Sequence, residues 1–287
     1  MQNQTIEAAG GASGDFTIPQ NWRHYTAEDH ATWDTLYARQ TKLLPGRVVP
    51  EFLEGLEVLG LEGPGVPDFE RLSEILMKRT GWQVVAVPGL IPDDAFFDHL
   101  ANRRFVAGNF IRRPDQLDYL EEPDVFHDVF GHVPLLAHPV FADYMEAYGK
   151  GGQRATELGA IHRLSRLYWY TVEFGLIRTG NDLTLYGAGI VSSRGESIFA
   201  LEDPSPNRIG FNLERVMRTP YRIDDYQQTY FVIDSFEDLL QQTLETDFGP
   251  IYANMDAKED FEITAICPSD KVYTRGTQDY ARSRANA

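Results

Sequence analysis

Apolar residues recur at helical spacing along much of the chain. Thr26-Ala27-Glu28-Asp29 opens like a capping box, and Trp33, Leu36, Tyr37, Leu43 and Leu44 then mark one face until Pro45-Gly46. The same period predicts helices over 51–59, over 67–78 and from Pro92 through Leu100. The run 82–87, closed by Pro88-Gly89, predicts a short strand. Pro123 opens another helix with Asp124 in its first turn, where the dipole favours an acid, and Pro134 predicts its end near Gly131-His132. A helix over 139–148 should stop at Gly149-Lys150-Gly151-Gly152. The longest predicted helix covers 154–177, and its centre is apolar on most faces, as in a buried helix. Segments 183–186, 189–192, 197–201 and 230–233 read as short strands, and Ser235 caps a helix through Leu240. The pattern fades after about residue 253, and residues 1–17 read as a flexible lead-in. These elements predict a single catalytic domain over 18–252, mainly α with a minor β component, and a tail of uncertain order over 253–287.

Composition narrows the class. With 43% hydrophobic and 12% aromatic residues over 287 positions, the chain can build a large core without disulfides. A net charge of −17 argues against nucleic acid and against an anionic membrane surface as partners. No apolar run approaches the ~20 residues that span a bilayer. The single cysteine, Cys267, excludes an intrachain disulfide, cysteine-based zinc sites and iron–sulfur clusters, and suits a reducing compartment. The first residues carry no basic-then-apolar leader, so a cytoplasmic protein is expected.

The candidate chemistry begins with His127 and His132, set among apolar neighbours between Pro123 and Pro134. Buried imidazoles need a partner for each nitrogen, and a metal or a backbone carbonyl can serve. Positions five apart lie about 140° around a regular helix, so the two rings converge only if the helix loosens, which Gly131 and Pro134 favour. Glu173 sits in the most apolar stretch of the longest predicted helix, where a carboxylate is costly unless paired or metal-bound. Arg166, two turns earlier, is the rival partner. Two histidines and one carboxylate form the facial set of non-haem Fe(II), with coordination positions left open. A zinc site can use the same residue types. A zinc hydrolase helix, however, needs H-E-x-x-H, and here the spacing is five and Asp128 follows the first histidine. A metal-stabilised binding protein without catalysis is a further alternative. Oxygen chemistry at iron would require electrons; with no dithiol, P-loop or GxGxxG present, a small bound reductant is implied.

Three stretches in the same order, His127 to Pro134, Tyr168 to Leu176 and Tyr186 to Ser193, resemble the pterin-dependent aromatic amino acid hydroxylases, most closely their bacterial phenylalanine-using members. The resemblance covers about residues 20–245 and implies a mostly α, basket-like catalytic domain. It implies Fe(II) held by His127, His132 and Glu173, with a tetrahydropterin (tetrahydrobiopterin or a related bacterial pterin) as two-electron donor. It implies conversion of L-phenylalanine and O₂ to L-tyrosine, tyrosine or tryptophan hydroxylation being the alternatives within the family. Gly89, Leu90, Ile91 and Phe96 match the pterin loop, and Asp128 and Tyr168 the pterin side. Arg112 matches the partner of the amino acid's carboxylate, a task that suits a guanidinium fork; its neighbour Arg113 reads as a solvated charge. Trp169, Phe174 and Gly189 match the aromatic pocket, Ser192 a residue that orients an iron-bound histidine, and Ile223 the position that separates phenylalanine from tyrosine users. A monomer is expected.

Overall fold

The computed structural model describes residues 14–118, 122–255 and 258–285. Residues 1–13 of the expected lead-in therefore lie outside the described residues; beyond them, Thr17 donates twice to Asp15 Oδ1 and Ile18 bridges to Ala86. The chain is mainly α with a minor β component, and it divides into two compact units: Met1–Lys42 with Pro50–Arg154, and Leu43–Val49 with Ala155–Ala287.

The first unit contains α1 (Ala27–Leu43), α2 (Pro50–Val58), α3 (Phe69–Arg79), β1 (Gln83–Val87), α4 (Asp93–Ala101), β2 (Arg104–Gly108), a π-helix (Phe126–His132), α5 (Val133–Leu136) and α6 (Pro139–Glu157). The capping box forms: Asp29 N donates to Thr26 Oγ1 at 3.2 Å while Thr26 N donates to Asp29 Oδ2 at 2.7 Å. Strands β1 and β2 pair in parallel across α4, with Val87 opposite Gly108. The hydrophobic pattern does not reveal β2, because Phe105, Val106 and Ala107 are all buried and leave no alternation to read.

Two helical expectations fail, each at a glycine. Helix α6 runs straight through Gly149 and Gly152, where a Cβ would collide with α4 at Ala101 and Phe97. These glycines permit close helix approach; they do not end the helix. The predicted helix over 154–177 is broken in two: Gly159, at φ +66°, follows the end of α6, and α7 (Ile161–Tyr168) starts afresh.

The second unit continues from α7 through a second π-helix (Trp169–Glu173), β3 (Leu176–Thr179), β4 (Asp182–Leu185), α8 (Ala188–Ser192), α9 (Arg194–Glu202), β5 (Asn207–Gly210), α10 (Leu213–Met217), β6 (Thr229–Ile233), α11 (Phe236–Glu245), α12 (Phe248–Met255), β7 (Val272–Thr274) and α13 (Asp279–Ala285). Its sheet has the order β4-β3-β6-β5-β7, with β3 and β5 parallel to the fully buried β6 and antiparallel strands at both edges. Segments 189–192 and 197–201, expected as strands, are α8 and α9. Short apolar runs do not distinguish a buried helix from a strand, and Ser193 Oγ settles the matter locally by accepting from Glu196 N at the start of α9. The polar tail forms β7 and α13, whose partners lie far back in sequence. Among the described residues no helix is long and apolar enough to cross a membrane.

Candidate metal centre

The histidine spacing finds its explanation in the first π-helix. An i→i+5 helix turns once in about 4.4 residues, so positions five apart lie about 50° apart, on one face, rather than the about 140° of a regular helix. His127 and His132 accordingly present their Nε2 atoms 3.3 Å apart, with the rings edge-on at 82°. The helix does not stop at Gly131-His132 as Pro134 suggested. Val133 N bonds Val129 O, and Pro134 falls in the first turn of α5, where its missing N–H costs nothing. Gly55 of α2 lies directly against the Pro134 carbonyl, and Val133, the pre-proline residue, keeps helical angles of φ −66° and ψ −32°.

Asp124 anchors this helix. Its carboxylate is completely buried, accepts from His127 N at 3.0 Å and forms a two-pronged pair with Arg112, from Nε at 2.9 Å and Nη2 at 2.8 Å. Burial alone would raise the Asp124 carboxyl, but Arg112 and the two backbone donors hold it below the usual carboxylate range. Arg112 Nη1 has only a long 3.4 Å contact with Leu117 O, so one edge of the fork is weakly used. Arg113 is exposed and pairs with Asp115, as a solvated charge would. Asp128 Oδ2 accepts from Gly108 N at 2.8 Å, fastening the π-helix to the end of β2, and the His132 ring lies 4.9 Å from Phe105 of that strand. In the 88–92 turn, Gly89 has φ +157°, and a Cβ there would come within 2.7 Å of Glu122 Oε1. Leu90 is 69% exposed, Ile91 is half-buried, and Phe96 meets Phe97 edge-on at 5.6 Å.

Glu173 ends the second π-helix, which closes with Phe174 N donating to Trp169 O at 2.8 Å. The rival ion pair is absent. Arg166 is committed to Asp260 Oδ2 at 2.7 Å and to Met217 O, and Arg163 shares Asp260. Instead, the glycines after β4 seat Glu173. A Cβ on Gly187 would strike the Glu173 carbonyl, and one on Gly189 would lie 3.1 Å from Glu173 Oε2 and 3.0 Å from the Phe174 ring. Trp169 stacks between Phe174 at 5.7 Å and Tyr221 at 4.7 Å. Tyr168 immediately precedes the π-helix, and Ser192 Oγ donates to Ala188 O at 2.7 Å. Ile223 is 71% exposed, so it belongs to no core. The anchoring role of Asp124 and the buried Glu196 are not apparent from the sequence pattern. Only Asp124 left a signal, its place in the first turn of the histidine helix.

Among the described residues, one group of histidine, cysteine and acidic side chains could hold a metal ion: His127, His132 and Glu173, whose candidate ligand atoms all lie within 4.8 Å of one another. The donor chemistry fits. Two imidazole nitrogens bound at about 2.1 Å on adjacent coordination positions of one ion sit roughly 3 Å apart, and the observed separation is 3.3 Å.

The family profile described as biopterin-dependent aromatic amino acid hydroxylase matches residues 15–252. The chain is 64% identical over 271 residues to the phenylalanine-4-hydroxylase of Caulobacter vibrioides, covering 94% of this chain and 92% of that protein. It is also similar to the phenylalanine hydroxylase of Chromobacterium violaceum. The structure of that enzyme with iron(III) and 7,8-dihydrobiopterin has a TM-score of 0.88 at 59% identity, covering 93% of this chain and 96% of that one. Its structure with iron and phenylalanine has a TM-score of 0.87 at 56% identity, covering 93% and 99%. A match over most of the chain, in sequence and in fold, places this protein in the family of biopterin-dependent aromatic amino acid hydroxylases.

Proposed function

We propose that the chain hydroxylates L-phenylalanine to L-tyrosine, with His127, His132 and Glu173 as the ligands of Fe(II), O₂ as oxidant and a tetrahydropterin as electron donor. The observation that carries this reading is the convergence of two imidazole nitrogens and one carboxylate, a set that leaves coordination positions open. One oxygen atom enters the ring and the other goes to the pterin, which is released hydroxylated, so the reaction takes two electrons from the substrate and two from the pterin. When bound, iron and reduced pterin supply the oxygen activation that no side chain provides.

The chain's own residues bind and orient. Gly89, Leu90 and Ile91 offer backbone groups to the pterin, Phe96 stacks on its ring, and Asp128 and Tyr168 line the same side. The weakly used edge of Arg112 takes the amino acid's carboxylate, with Asp124 fixing the fork in advance. Trp169, Phe174, Gly189 and Ile223 serve the aromatic ring, and Ser192 orients an iron-bound histidine. Residues 18–252 act as the catalytic domain, and the protein works as a cytoplasmic monomer with tetrahydrobiopterin or a related bacterial pterin. Anaerobic Fe(II) loading, followed by parallel turnover of phenylalanine, tyrosine and tryptophan, tests the reading. Phenylalanine should give tyrosine at the highest kcat/KM; iron binding without product from any of the three would overturn it.

A further inference from the structure

Ile223 is largely exposed, so its position is inherited from its neighbours. On one side Gln227, fully buried, clasps Arg222: its Oε1 accepts from Arg222 N at 3.1 Å and its Nε2 donates to Arg222 O. Glu196 supports that clasp from behind, accepting from Tyr230 Oη at 2.7 Å and from Gln227 N at 3.5 Å. On the other side the fixed point is Asp225, whose carboxylate is 6% exposed. Besides the Tyr226 N–H, which donates to Oδ1 at 2.9 Å, two of its partners come from the far end of the chain. Tyr280 Oη donates to Asp225 Oδ1 at 2.6 Å, and Arg284 Nε donates to Oδ2 at 2.8 Å. Burial would push the Asp225 carboxyl up, but Tyr280 and Arg284 hold it below the usual carboxylate range, so it stays charged.

The segment that carries Tyr280 is itself docked. Gly276 N donates to Asn207 Oδ1, Thr277 N to Pro204 O, Gln278 N to Ser205 O and Gln278 Nε2 to Gln228 O. The Tyr280 ring stacks on Tyr226 at 5.5 Å and meets Phe199 at 5.1 Å. This strap begins beyond residue 252, where the family match ends.

We propose that the strap formed by residues 276–284 positions the 221–226 segment, and that Tyr280 and Arg284, through Asp225, help set the affinity and choice of amino acid substrate. The proposal rests on the reading that Ile223 serves the substrate ring. Neither Tyr280 nor Arg284 touches substrate in this account; both are positioning residues.

The test is the full-length, iron-loaded double variant Tyr280→Phe/Arg284→Gln, assayed with phenylalanine and tyrosine separately and in competition. We expect KM for phenylalanine to rise about tenfold with kcat within about twofold, and the phenylalanine-to-tyrosine ratio of kcat/KM to move at least about threefold. Iron content should not change, and Arg284→Lys should restore most of the loss from Arg284→Gln. A lower melting temperature with unchanged KM and unchanged ratio would make the strap a structural brace and overturn the proposal. Should the double variant fail to fold, Tyr280→Phe alone decides. It keeps both ring contacts and loses only the hydroxyl, so an unchanged KM there is equally fatal. Ile223→Asp in the otherwise native chain separates the two levels. If it leaves the ratio unmoved, the substrate role of the segment falls and the strap proposal with it. If it moves the ratio while the strap variants do not, only the strap proposal falls.

Discussion

The two π-helices are built on opposite principles. The first, Phe126–His132, is organised by its own sequence: Asp124 anchors its start, Phe126 and Phe130 stack at 4.7 Å along one side, and two ligand candidates stand five apart on one face. The second, Trp169–Glu173, has one candidate, no cap from its own side chains and no internal spacing to read. Residues well downstream define it, namely Gly187 and Gly189 against Glu173 and Tyr221 against Trp169. The same wide turn is thus specified locally in one place and by tertiary packing in the other.

Exchange of a ligand breaks both regions alike and gives the largest effect. His132→Ala and Glu173→Gln should each retain no iron and no activity while the far-ultraviolet dichroism stays native. A Glu173→Gln protein that keeps stoichiometric iron would remove the second helix from the comparison. Next in size is the local anchor. Asp124→Ala leaves the Arg112 guanidinium buried without its partner, and denaturant unfolding should show a loss of about 3–5 kcal/mol. Gly189→Ala probes the distant support. The added Cβ presses on Glu173 and Phe174, for about 1–3 kcal/mol in stability and a 10–100-fold weaker iron affinity by titration. If it costs neither, the second helix does not depend on α8.

The smallest effect is a pH dependence behind the second region. Burial drives the Glu196 carboxyl up to about 7, against the opposing hydrogen bonds from Tyr230 and Gln227. An acid whose folded pKa is raised is bound to its proton longer in the folded chain than in the unfolded one. Stability should therefore decline as pH rises, by roughly 1 kcal/mol between pH 6 and 8 from this group. Glu196→Gln should remove that share, seen as a flatter melting temperature against pH; an identical slope in both proteins would show that Glu196 is charged throughout.

This contrast also explains what the sequence could reveal. The capping box at Thr26, strand β1, the Ser235 cap and the histidine pair are short-range patterns, and they were legible. The passage through Gly149 and Gly152 depends on α4, a partner elsewhere in the chain, and the short apolar runs of α8 and α9 fit a strand as well as a buried helix. Glu173 was legible as an anomaly, a carboxylate among apolar residues, but the failure of the Arg166 pair became visible only with Asp260, 94 residues away. The tail lost its pattern for a related reason: β7 and α13 are short and read out against β5 and the 225–228 loop.

The position of β7 in the sheet carries a consequence in time. Strand β5 takes one neighbour from residues 229–233 and its other from residues 272–274, so the sheet is finished out of sequence order. As the chain leaves the ribosome, strands β1 and β2 find each other within a short span and can pair early. The β5 edge must wait, open, until more than sixty further residues have been synthesised. For that interval the nascent chain carries an unpaired strand edge, the feature most prone to misassociation. Arrival of β7 closes the edge and brings α13 onto the 225–228 loop, so this loop gains its last partners in the same event that ends the vulnerability.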